Sequence, residues 1–98
     1  MSDKQATQKM IEEMYSLIAS LKSANDCRDL FSDMCTNKEI EQMAQRIKAA
    51  RLLLEGKTYN QVIEETDISS ATLSRVSRCV QYGNGYSKFL KQSQGENK

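Results

Sequence analysis

The sequence predicts an all-α protein, on three observations. Pro and Trp are absent and only six residues are aromatic, which is poor material for a β sandwich. Apolar residues recur at three- and four-residue steps rather than alternating. Capping residues and glycines fall at the ends of those periodic stretches. At 98 residues the chain has room for one domain. A chain of this size buries only roughly 60–65% of its unfolded surface, so a second copy would help it close a core.

The first helix is expected over residues 4–22, where Met10, Ile11, Met14, Tyr15, Ile18 and Leu21 form one apolar stripe. A short second helix is capped by Asn25 and shows Leu30, Phe31 and Met34. Thr36-Asn37-Lys38-Glu39 is a capping box that opens a long third helix. Its inward residues are expected to be Ile40, Met43, Ala44, Ile47, Ala50 and Leu54, and Gly56 is placed to stop it in a left-handed conformation. Thr58 caps a very short helix ending near Thr66, Asp67-Ile68-Ser69 form a joint, and Ser69 or Ser70 caps a helix running to about Gln81. Gly83-Asn84-Gly85 breaks the chain, and Tyr86–Leu90 is read as one or two further helical turns. The division is therefore a single helical domain over residues 1–90 and a mobile polar tail over 91–98.

Composition excludes several functions. Histidine is absent, which removes Ser-His-Asp and Cys-His catalysis and all His-ligated metal sites. Cys27, Cys35 and Cys79 are odd in number and lack C-x-x-C spacing, so they read as free thiols in a reducing compartment. Asp26, Asp29 and Asp33 recur at helical steps, where a solvated face is the simpler reading than a cation site. No enzyme, metal or cofactor is expected. No stretch approaches the roughly 18 apolar residues of a membrane span, and the polar amino-terminal segment has no signal-peptide core. A cytoplasmic, nucleoid-associated protein with no membrane partner is the expectation. The formal charge is +1, yet residues 1–67 carry net −3 and residues 68–98 net +4. Such asymmetry points to a half that faces nucleic acid.

Residues 58–81 carry the functional motif, a DNA-binding helix-turn-helix. Val62 and Ile63 supply apolar contacts from its first helix, Ile68 plugs the joint, and Leu73 and Val76 form the inner face of its second helix. The outer face holds Ser69, Ser70, Ala71, Thr72, Ser74, Arg75 and Arg78, with Asn60 and Gln61 at the start of the first helix. A helix entering the major groove needs small residues near its amino-terminal end, hydroxyls for bases or phosphates, and Arg for guanine or the backbone. Glycine is often found in such joints; Asp67 takes its place and also tolerates left-handed backbone. The competing reading is a helical protein-interaction or dimerisation module that has lost DNA binding, because Glu64 and Glu65 would repel phosphate if they faced it.

Thr36 before a long helix, Arg46 within it, a Leu-rich end with Gly56, and a motif closing on Ala71-Thr72-Leu73-Ser74-Arg75 together resemble the Trp repressor superfamily, and within it the YerC/YecD-type branch. The resemblance covers roughly residues 10–82. It implies an intertwined all-helical homodimer, a repressor-like regulator of transcription, and a palindromic double-stranded operator. It also implies a candidate effector site at Thr36, Arg46 and Arg75, which match the residues that hold the amino-acid effector in tryptophan-responsive members. The sequence departs from that pocket at Val76, where the family has glycine, and at Asp33 and Cys35, where it has leucines. The joint is also one residue shorter. An indole ring would meet a branched side chain and a carboxylate, which argues against L-tryptophan as effector.

Overall fold

The computed structural model describes residues 3–96, with side chains described from Asp3 to Lys91. Six helices follow one another: α1 Lys4–Ala19, α2 Ala24–Met34, α3 Asn37–Leu54, α4 Tyr59–Thr66, α5 Ser70–Tyr82 and α6 Tyr86–Glu96. No strand occurs among the described residues. Chain contacts divide them into two compact units, Met1–Thr36 and Asn37–Lys98.

In the first unit, α1 is opened by Asp3, whose Oδ1 accepts from the Ala6 amide at 2.6 Å. It stops at Ala19, three residues before the expected end. The Ser20 and Leu21 amides donate to carbonyls only three residues back, a tightening of the last turn. The Lys22 amide is then taken by Asp26 Oδ2 at 3.0 Å, which draws the chain out of the helix. Ser23, rather than Asn25, caps α2: its Oγ accepts from the Asp26 amide at 3.0 Å. Asn25 lies inside the helix, where its Oδ1 accepts from Arg28. Neither α1 nor α2 contains a buried residue.

The second unit is built on α3, against which α4, α5 and α6 all pack. Its core is Ala49, Ala50, Leu52, Val62, Ile68, Leu73 and Val76, flanked by Leu53, Ile63, Val80, Tyr86 and Leu90. Burial of each large aliphatic side chain is worth roughly 1.5–3 kcal/mol. The inward face of α3 differs from the expected one. Ala50 is buried as anticipated, but Ala49 and Leu52 join it, while Ala44 is exposed and Ile47 is 47% exposed. The helix carries two apolar stripes, and the unit buries the one that includes the small Ala49–Ala50 pair.

Gly56 ends α3 as expected. At φ +91° its amide donates to Leu53 O (3.0 Å) while the Lys57 amide donates to Leu52 O (3.1 Å), which is the Schellman pattern. Ser69, not Ser70, caps α5. The last helix runs to Glu96, past the Leu90 at which the sequence stops it, so the first part of the expected polar tail 91–98 is helical in backbone. Residues 91–96 contain no proline, and extending an existing helix costs far less than nucleating one. Residues 97 and 98 of that tail lie outside the described residues.

Two backbone positions set the connections. Replacing Gly56 by Ala forces a Cβ into left-handed backbone, and urea unfolding should show a loss of roughly 1–2 kcal/mol. Asp67 also has positive φ, +61°. Asp67→Val should cost roughly 1–2 kcal/mol by the same measurement, whereas Asp67→Gly should hold or raise stability. Equal stability of the Val and Gly variants would contradict the left-handed joint.

Candidate nucleic-acid interface

Helices α4 and α5 are joined by three residues, Asp67, Ile68 and Ser69. At the start of α4, Thr58 Oγ1 accepts from the Gln61 amide at 3.2 Å and Gln61 Oε1 accepts from the Thr58 amide at 2.9 Å. This reciprocal box fixes the first turn of a helix too short to hold itself. At the other end, the Asp67 amide donates to Ile63 O at 2.8 Å, and the left-handed residue turns the chain. Asp67 thus fills the role usually given to glycine.

Ile68 is buried and plugs the joint against Val62 and Leu73 in the same core. Thr66 organises the polar side of this corner. Its Oγ1 donates to Val62 O at 2.7 Å and accepts from the Ile68 amide at 3.3 Å, while its carbonyl accepts from Gln45 Nε2 at 3.2 Å. Gln45 therefore ties α3 to the motif. The sequence reading missed both residues, because a hydrogen bond across 21 positions leaves no local signal.

Ser69 caps α5 by accepting from the Thr72 amide at 3.2 Å, and its hydroxyl donates to Thr72 Oγ1 at 2.9 Å. Along α5, Leu73, Val76 and Ser77 are buried. Ser69, Ser70, Ala71, Ser74, Arg75 and Arg78 are exposed, and Thr72 is half-buried. The helix thus turns a small, hydroxylated and basic face outward over an apolar inner face. Asn60 and Gln61 are exposed on the first turn of α4. Gln61 spends its amide oxygen on the cap and keeps its nitrogen for an outside acceptor. A shallow depression places Gln61 with Lys57, Glu64 and Glu65, so two carboxylates share its face.

Arg46 of α3 and Arg75 of α5 line one cleft of about 450 Å³ with Thr72, Val76, Cys79 and Tyr86. Val76 is simultaneously a core residue at 1% exposure, so its side chain is held in place by packing from behind. Thr36, the third candidate effector residue, belongs to the other compact unit. Among the described residues no group of three or more His, Cys, Asp or Glu side chains is placed to hold a metal ion, Asp26, Asp29 and Asp33 included. No helix among them is long and apolar enough to cross a membrane.

Comparison with known proteins agrees with this geometry. A solved structure from Staphylococcus aureus, described as a candidate Trp repressor, superposes with a TM-score of 0.84 at 31% identity, over 95% of this chain and 96% of that one. A Trp-repressor-like protein from Eubacterium eligens superposes with a TM-score of 0.85 at 35% identity, over 94% and 96% of the two chains. The YerC protein of Bacillus subtilis strain 168, itself uncharacterized, is 46% identical over 76 residues, covering 78% of this chain and 73% of its own. The family profile of the Trp repressor protein matches residues 3–94, and the chain belongs to that family.

Proposed function

We propose that this protein is a sequence-specific, DNA-binding regulator of transcription, repressor-like in action, that reads the major groove with α5 as a homodimer. The carrying observation is the second motif helix, which exposes Ser70, Ala71, Ser74, Arg75 and Arg78 over buried Leu73 and Val76. Small residues at its amino-terminal end let the backbone approach base edges, and the arginines suit guanine or phosphate. Ser69 and Thr72 are engaged with each other, which leaves Ser70, Ala71 and Ser74 as the base-reading residues. Asn60 and Gln61, at the start of α4, suit the flanking backbone. A DNA-binding role places the protein in the cytoplasm with the nucleoid.

The need for a second copy follows from what a single chain leaves uncovered. In the first unit Met10 is 58% and Tyr15 56% exposed. In the second, Ile47 and the 61% exposed Phe89 border an apolar hollow of about 530 Å³ with Tyr86 and Leu90. Leaving such surfaces in water is unfavourable by roughly 25 cal/mol per Å² of apolar area. We assign both to the dimer interface, so that residues 1–90 work as one domain whose core is completed by its partner. Two copies then present two α5 helices to a palindromic operator.

The Arg46–Arg75 cleft is the candidate effector site within the second unit. Val76 stands where an indole ring needs room, and because it is packed into the core it cannot swing aside. L-tryptophan is therefore not the effector we assign to it. The exposed pair Glu64 and Glu65 beside Gln61 favours a second reading, a protein-interaction module that no longer binds DNA.

Three measurements check these proposals. Sedimentation at micromolar concentration should give a homodimer; a compact, stable monomer would contradict it. Ser70→Ala and Ser74→Ala should change which duplexes bind, by roughly 1–3 kcal/mol at the affected base pairs. Arg78→Ala should weaken all duplexes alike and lower the salt slope by about one. If all three variants leave affinity and preference untouched in a folded dimer, the interaction-module reading replaces this one. Calorimetry with L-tryptophan should show no micromolar binding, and a micromolar affinity would overturn the argument from Val76.

A further inference from the structure

The motif is bordered by a second cleft, of about 470 Å³, which the helix-turn-helix pattern does not predict. One wall is the amino-terminal half of α3, where Lys38, Gln42 and Arg46 follow at four-residue steps and so lie along one line of the helix surface. The opposite wall is the start of α5, with Ser69 and Thr72. Lys and Arg are donors only, and the Gln42 amide adds two more donors. Lys38 and Gln42 are exposed, and Arg46 is half-buried between this cleft and the one it shares with Arg75.

We infer that this wall of α3 is a phosphate clamp, in which Lys38 and Gln42, backed by Arg46, grip the DNA strand that borders the groove entered by α5. The inference rests on the DNA-reading proposal above. A helix lying in the major groove with its amino-terminal end toward the bases has a sugar-phosphate strand running past that end. The cleft lies beside that end of α5, and Lys38 and Gln42 on its α3 wall are exposed.

Glu41 also lines the cleft and is exposed there, and Asp67 sits in the joint. These carboxylates oppose a phosphate, so the clamp acts locally through Lys38 and Gln42 rather than by a broad positive field. They also supply a control that a merely solvated lysine does not, since two neighbouring residues should act in opposite directions. Phosphate contacts carry no base information, so both effects should be independent of sequence.

The test measures duplex affinity against salt for the full chain, on a preferred duplex and an unrelated one. Lys38→Gln should weaken both alike and lower the salt slope by about one, so that the deficit shrinks about fourfold between about 50 and 200 mM salt. Glu41→Gln should tighten both duplexes without changing their ratio. Both residues are exposed, and helical content and sedimentation verify that each variant is a folded dimer. An unchanged slope in Lys38→Gln, or no tightening in Glu41→Gln, overturns the clamp. If Ser74→Ala and Arg78→Ala still alter binding in that case, the DNA-reading proposal stands without it. If no variant on either helix changes binding, the DNA-reading proposal falls as well.

Discussion

Close packing of α3 against the motif is the constraint on which the second unit depends. Ala49 and Ala50 are fully buried at this contact. Their small side chains let neighbouring backbones come near, and Leu52, Val62, Leu73 and Val76 fill the space around them. A larger residue at either alanine would push the motif helices away, at a cost of typically 1–3 kcal/mol. The orientation of α5, and with it the direction of its exposed face, follows from this contact. Gln45 adds the directional part: by donating to Thr66 O it ties α3 to the last residue of α4, and Ile68 enters the core just beyond.

The same economy explains why so short a motif is ordered. The eight residues of α4 are well below the length at which an isolated helix holds together in water. Its ends are closed locally instead, by the Thr58–Gln61 side-chain box at the start and by the left-handed backbone of Asp67, whose amide donates to Ile63 O, at the finish. The first unit shows the opposite balance. Its helices are capped by Asp3 and Ser23, yet none of their residues is fully buried within one chain. Capping defines a helix locally, and an amphipathic face still has to find a partner to be stable. In the proposed dimer that partner is a second copy.

Most of the fold was legible because local chemistry announced it. Thr58, Asp67, Ser69 and Gly56 each mark a helix end through bonds spanning five residues or fewer. The largest error falls where the deciding interaction is not local. Periodicity showed that α3 is apolar, but two stripes compete on it, and only the packing of α4, α5 and α6 selects Ala49 and Leu52 over Ala44 and Ile47. Asn25 and Ser23 are comparable caps, and the bond from Ser23 Oγ to the Asp26 amide decides between them. The end of α6 carries no apolar rhythm, so nothing in the sequence foretold Glu96 as its limit. At the candidate interface, the exposed face of α5 was readable from spacing, whereas the cleft between α3 and α5 exists only after folding.

Selection of bound duplexes from a random pool tests the central claim most directly, because it asks for sequence readout without presuming a site. A dimer that reads DNA with two α5 helices should enrich a palindrome whose half-sites lie about one helical turn, roughly 34 Å, apart. Ser70→Ala and Ser74→Ala should shift the enriched half-site at a few positions while keeping that spacing. A pool that emerges without an enriched sequence, from a folded dimer at physiological salt, would contradict the account.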